Sequence, residues 1–301
     1  MSTQLRDEIV VNVGLDAIST IKEVEAARNL NVGCMHLVLD FNKVIFLKTG
    51  RFVIIACLIE HFHQLNERVR ITARNVSDRL LNYIKNIRLD EYWGDGFKRT
   101  HYTKTKIDTA LCLWQISIEM IDAYASYAQD FFENNYTHLS LDPLAIAHKE
   151  VFNNIFDHSK SPIDGYVLTQ RFPSRQVIET AICDFGVGIP TTINNYWMRT
   201  KGRELTERNA LAKALERSMT VESKKHNRGF GLDNLINQVN NQCGELNIIS
   251  NSVWYNINMD GSKHFYDLPV SFQGTIIVVR IDENKLPIDE DYISNDLSLE
   301  F

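Results

Sequence analysis

Four groups of residues in this chain have the types and spacing to do chemistry. The first is the stretch EVFNNIFDH from Glu150 to His158. Its apolar members Val151, Phe152, Ile155 and Phe156 recur with helical spacing, so Glu150, Asn154 and His158 fall on one stripe, each four residues after the last. A glutamate so placed can act as general base toward a water or a hydroxyl. An asparagine one turn later offers a neutral oxygen, a suitable ligand for Mg2+ that already holds phosphates and waters. His158 either bonds to Glu150 or the phosphates, or simply packs on the helix surface. By itself the stripe is the wet side of an amphipathic helix, and only its neighbours give it meaning.

The second group is the apolar run Ala181 to Pro190, which ends in Asp184, Gly186, Gly188 and Ile189. A carboxylate at the tip of a buried strand accepts a hydrogen bond from an amine and discriminates strongly, because a wrong partner leaves its charge unpaired. The third, Arg228-Gly229-Phe230-Gly231-Leu232, precedes a helix. Its backbone N–H groups and the helix N-terminus can receive phosphate oxygens, and Lys224, Lys225 and Arg228 add positive charge, though a solvated basic run explains those side chains equally well. The fourth is Gly274-Thr275, at the opening of the strand IIVVRI.

These groups need a scaffold. Residues 8–13 read as a strand, Leu15 to Asn29 as a helix, His36 to Phe41 and Val44 to Phe46 as a short buried strand pattern, and the stretch from Gly50 to Leu65 as a strongly apolar helix. A strand at Arg68 to Thr72 and a helix at Val76 to Leu89 complete a β-α-β-α-β-α order, a sheet with covering helices. Tyr92 to Gly96 is turn-rich and marks a boundary. Beyond it, Ile107 to Trp114 is strand-like, and Ile118 to Phe132 is an amphipathic helix. Pro143 suits the start of the helix bearing Glu150. Tyr166 to Arg171 and Val177 to Cys183 pair as a hairpin that delivers Asp184. Thr191 to Asn227 is long and polar, with one helix near Asn209 to Ser218. A helix over Gly231 to Asn240 and strands at Glu245 to Ser250, Ser252 to Met259 and Gly274 to Ile281 follow. The expected division is 1–96, 97–285 and an acidic, flexible tail over 286–301.

The fixed order of the four boxes resembles the Bergerat-type ATP-binding fold shared by gyrase, a cytosolic chaperone, MutL and histidine kinases, the GHKL superfamily, over roughly Ile107 to Asp282. The resemblance implies an α/β sandwich with helices on one face of a mixed sheet, binding ATP and Mg2+. It implies that Asp184 selects the adenine amine while Gly186, Gly188 and Ile189 approach the purine. Lys225, Arg228, Gly229, Phe230, Gly231 and Leu232 then lie along the phosphates, supported by Thr275, with His158 beside them. Thr191 to Asn227 becomes the lid, Glu150 the catalytic residue and Asn154 the metal ligand. Asp184-Phe185-Gly186 also echoes protein kinases, but no glycine-rich loop, strand lysine or His-Arg-Asp loop accompanies it. The piece LDFNKVIFLKTG resembles STAS domains of anti-anti-sigma factors over residues 8–93, with Leu47-Lys48-Thr49-Gly50 where that family usually has Asp-Ser-Ser-Gly. Thr49 is then the one candidate phosphoacceptor of that loop, or more simply the cap of the following helix.

The bulk numbers agree with such a regulator. The 301 residues carry a formal charge of −6 and a pI near 5.9, which argues against a dedicated nucleic-acid binder. The longest apolar run, Phe52 to Ile59, falls far short of the ~20 residues that cross a bilayer. Five scattered cysteines read as small buried hydrophobes of a reducing compartment, and His61 and His63 point apart on their helix. The expectation is a soluble, cytoplasmic protein without nucleic-acid or membrane partners, with a regulatory protein partner and a possible homodimer. It either hydrolyses ATP or transfers its γ-phosphate to a protein serine or threonine, since the matching glutamate serves hydrolysis in gyrase-like members and is also present in anti-sigma-factor kinases. The alternative is a non-catalytic, ATP-gated interaction switch.

Overall fold

The structure, a computed structural model, describes residues 5–92, 105, 107–116, 120–133, 136, 139–142, 145, 148–149, 151–152, 160–216, 231–241 and 244–288. It is a mixed α/β protein built on two sheets. The first is parallel, in the order β1 (Arg6–Asn12), β2 (Cys34–Asp40), β3 (Arg70–Arg74). Its strands alternate: Ile9, Val11, Leu37, Leu39 and Ile71 point inward, while Val10, Val38 and Thr72, paired in register, point outward. The connecting helices α1 (Ala17–Arg28) and α2 (Thr49–Leu65) pack on the inward face, as right-handed crossovers between neighbouring parallel strands require. A capping box starts α1, with Asp16 Oδ1 accepting from Ser19 N–H at 2.8 Å. The third helix, α3 (Asp78–Asn86), is capped by Ser77.

The second sheet has five strands in the order β4 (Trp114–Ile116), β5 (Gly165–Phe172), β6 (Val177–Asp184), β8 (Lys263–Asp282), β7 (Glu245–Ile257). Every neighbouring pair is antiparallel. One face meets α1 and α2, and a single apolar cluster runs from Leu37 and Leu39 through Val53 and Ile54 to Leu168, Ala181 and Ile276. The approach is close: a Cβ on Gly50 would lie 3.2 Å from Val278 Cγ2. The other face carries a second cluster, in which Val167, Ile182, Ile248 and Ile277 meet α4 (Ile121–Glu133), the helical turn of His148, Val151 and Phe152, and α7 (Gly231–Asn241). Between β6 and α7 lie α5 (Ile189–Lys201) and α6 (Glu207–Ala214).

Several expectations change. The five-stranded sheet is antiparallel throughout rather than mixed, and helices cover both faces rather than one, because the N-terminal unit is its second cover. Val44 to Phe46 is loop, with only Val44 turned inward. Of Ile107 to Trp114, only Ala110 forms a bridge, to Gln170, before β4 begins. The stretch opening at Thr191 holds two helices rather than one: α6 overlaps the helix expected near Asn209 to Ser218, α5 is additional, and together they bury Ile193, Ala210 and Leu211. The strands expected to break between Ser250 and Ser252 form one, bulged at Asn251. The strand expected at Gly274 begins at Lys263, in a long hairpin with β7. Residues 286–288 are docked: Leu286 is buried, Pro287 O accepts from Ser140 N–H at 2.8 Å and Ile288 bridges Leu139.

Thr49 is not a helix cap. The cap position belongs to Lys48, which makes no side-chain cap bond. The Thr49 hydroxyl, 1% exposed, donates to Glu179 on β6. Glu179 is in turn held by Arg280, whose other terminus meets Glu245. A threonine at a helix start chooses this course because α2 is pressed onto the second sheet, where a buried carboxylate outcompetes exposed backbone amides.

Candidate functional site

Every position of β6 is buried. Ala181 and Cys183 face α2, so Thr180, Ile182 and Asp184 face the α4 and α7 side. Asp184 is 1% exposed. Its Oδ1 accepts from Gly186 N–H at 2.7 Å. Burial pushes this carboxyl up to about 7, opposed by the Gly186 bond and by the charge of Arg28.

The turn after Asp184 is shaped by two glycines. Gly188 has φ +86, and a Cβ there would fall 2.5 Å from Asn251 Oδ1. Gly274 has φ +147, and its Cβ would fall 2.2 Å from the Asp184 carbonyl oxygen. Thr275 stands directly across from Asp184 on β8 and across from Ser250 on β7. The buried Ser250 hydroxyl accepts from Ile189 N–H at 2.8 Å, donates to Gly274 O at 3.0 Å and lies 3.0 Å from Thr275 Oγ1. Asn251, at φ +51, donates to Val187 O at 3.2 Å and accepts from the Thr191 hydroxyl at 3.2 Å. Three strands thus fix the loop from Asp184 to Ile189.

A fourth support comes from the N-terminal unit. Arg28, at the end of α1, is buried and places its guanidinium 3.8 Å from the centre of the Phe185 ring. It donates to Gln273 O at 2.7 Å and to Phe185 O at 3.5 Å, and pairs with the buried Glu25. It therefore grips both strands that meet at Asp184. Sequence reasoning missed Arg28, Ser250 and Asn251. The only local signal was the high helix propensity at Arg28 and the strand ending at Ser250, and neither says what lies across the fold.

The face that Asp184 shares carries a buried polar chain. His148 Nε2 lies 2.9 Å from Thr180 Oγ1, Thr180 lies 3.0 Å from Thr169 Oγ1, and Thr169 lies 2.8 Å from the Tyr124 hydroxyl. The His148 ring stacks on Phe152, 4° from parallel. Burial pushes His148 down to about 3, so the imidazole is neutral. With Val151 and Phe152 also buried in that cluster, this helical turn is pinned to the sheet face on which Asp184 lies, four residues further along β6.

Of the residues singled out from the sequence, Asp184, Gly186, Gly188, Ile189 and Thr275 converge on this one turn. Gly231 opens α7, and Leu232 is buried in the second cluster, where its side chain packs. Glu150, Asn154, His158, Lys224, Lys225, Arg228, Gly229 and Phe230 lie outside the described residues. Among the described residues no group of three or more histidine, cysteine, aspartate or glutamate side chains is placed to hold a metal ion, and no helix is long and apolar enough to cross a membrane. The four described cysteines are buried, as expected, and none of the four is in a disulfide. The sequence matches no model of a known protein family and no curated protein. Fold and site therefore define a mixed α/β protein with a buried carboxylate poised at a glycine turn.

Proposed function

We propose that this protein is an ATP- and Mg2+-binding regulator of the GHKL type, a Bergerat-type ATP module joined to a STAS-like unit. It uses the nucleotide by hydrolysis or by transferring the γ-phosphoryl group to a protein serine or threonine. The observation that carries this reading is Asp184: a buried carboxylate at a strand tip, one oxygen held by Gly186 N–H, in a turn fixed by Gly188 against Asn251 and by Gly274 against the Asp184 carbonyl. A carboxylate so desolvated gains most from an exocyclic amine and rejects a carbonyl in its place. In this reading Glu150 is the general base, Asn154 carries Mg2+, and the Gly229 to Gly231 segment takes the phosphates. Titration calorimetry with ATP and GTP in the presence of Mg2+ tests it. ATP is expected to bind and GTP not to, with Asp184→Asn weakening ATP about 100-fold. Equal affinity for the two nucleotides, or none for either, refutes the adenine assignment.

The non-catalytic switch is supported by one feature, the grip of Arg28 on Phe185 O and Gln273 O. A nucleotide that shifts the Asp184 turn displaces α1 by the same contact. Glu150→Ala separates the two readings: lost turnover with retained ATP affinity supports the enzyme, whereas a wild-type chain with no turnover at all supports the switch.

A further inference from the structure

Residues 5–92 contain five serine and threonine side chains, and four are committed to the fold. Ser19 completes the cap of α1, Thr20 donates back to Asp16 O, Ser77 caps α3, and Thr49 is buried on Glu179. Thr72 differs. On the outward face of β3, its Oγ1 lies 2.8 Å from His36 Nε2 on β2, and His36 Nδ1 lies 3.2 Å from Glu8 Oε2 on β1. A carboxylate only accepts, so in the neutral ring the tautomer that donates from Nδ1 to Glu8 turns the Nε2 lone pair to the threonine hydroxyl. Hydroxyl, imidazole and carboxylate in that order form the relay that withdraws a hydroxyl proton as its oxygen attacks an electrophile. The His36 and Glu8 side chains are 24% and 49% exposed, so the relay is open to an incoming group.

The neighbours decide which electrophile fits. Inward Ile71 and strand alternation put Arg70, Thr72 and Arg74 on the same outward face. Arg70 and Arg74 flank Thr72 on that face, Arg74 paired with Asp40 at 2.8 Å, and cationic side chains beside a hydroxyl suit a dianionic phosphate ester.

We propose that Thr72 is a phosphoacceptor, with His36 as its general base and Glu8 as the residue that orients His36, and that the donor is ATP held by a second copy of this chain. The proposal rests on the nucleotide reading above. Transfer within one chain is excluded by layering: the α1/α2 layer and the five-stranded sheet lie between the outward face of β3 and the face that carries Asp184. In the step, the Thr72 Oγ1–phosphorus bond forms as the bond from the γ-phosphorus to its bridging oxygen breaks. The hydroxyl proton passes to His36 Nε2, and ADP leaves with the electron pair.

The test mixes two full-length chains that differ in a tag. Asp184→Asn keeps the acceptor, Thr72→Val keeps the nucleotide turn, and both are incubated with γ-labelled ATP and Mg2+. Label is expected at Thr72 of the Asp184→Asn chain, at a rate that rises with the concentration of the other chain. Adding His36→Ala to the Asp184→Asn chain should cut labelling about 100-fold or more, with partial recovery when imidazole is supplied, and Glu8→Gln should cut it about tenfold. Equal labelling of an Asp184→Asn/Thr72→Val double variant overturns the proposal. So does a wild-type chain that binds ATP yet leaves Thr72 unlabelled, an outcome that spares the nucleotide reading. A wild-type chain that fails to bind ATP overturns both.

Discussion

The Asp184 turn and the outward face of the parallel sheet both hold ionisable side chains in fixed hydrogen bonds, yet water reaches only one of them. At the turn, five-stranded sheet, α1 and second core exclude solvent, and a carboxylate that ordinarily titrates at 3.8 is pushed up to about 7. On the parallel sheet, Glu8, His36, Thr72, Asp40 and Arg74 make comparable contacts with one side open. There Asp40 is held below its ordinary value, chiefly by Asn75 and with help from Arg74 and the Asn42 amide. The same residue type is thus driven in opposite directions: desolvation dominates at Asp184, and hydrogen bonding to Asn75, Arg74 and the Asn42 amide dominates at Asp40, which is 8% exposed beside an exposed arginine. The first region is the one we propose binds nucleotide, and the second the one we propose accepts a phosphoryl group.

The largest break in this comparison is expected at Gly274. An alanine there meets the Asp184 carbonyl oxygen in a backbone region that side chains rarely adopt, so Gly274→Ala should lose about 3 kcal/mol or more in urea unfolding. Gly202→Ala, at φ +66 with open space around it, isolates backbone strain alone and should cost about 1 kcal/mol. Similar losses for the two would remove the crowding at the Asp184 turn.

A smaller effect, with a definite sign, is expected for Asp184→Asn. Between pH 4 and 7 the folded wild type keeps a proton that the unfolded chain has released, so its stability falls as pH rises through that window. The variant lacks this loss and retains an acceptor for Gly186 N–H. Its melting temperature relative to wild type should therefore climb from about pH 4 to about pH 7 and level off above. A difference independent of pH would mean that the carboxyl is not desolvated.

The smallest effect sharpens the other side. Arg74 is 50% exposed beside Asp40, and Arg74→Ala should change stability by about 1 kcal/mol or less, reduced further by salt. A loss of several kcal/mol would place that face behind a cover as complete as the one over Asp184.

What could be read locally was read well. The strands β1 and β2, the run through α2 and the β5–β6 hairpin all follow from apolar runs, the 3.6 period and turn residues, which act over a few positions. The cluster of Asp184, Gly186 and Gly188 was legible for the same reason. Thr49 was misjudged because capping is a local rule, and α2 lies against a carboxylate 130 positions away in the chain. The relay of Glu8, His36 and Thr72 was invisible because its members come from three strands whose register is set by packing rather than by any motif.

The sequence by itself determined most of the elements and the glycine turn that presents Asp184, since side-chain period and backbone freedom are properties of a few consecutive residues. Only the tertiary structure decided that the five-stranded sheet is covered on both faces, that Arg28 reaches from α1 to Phe185 and Gln273, and that Thr49 is buried while Thr72 is open. Those outcomes depend on which surfaces exclude water from one another, and exclusion is settled by the whole packed chain.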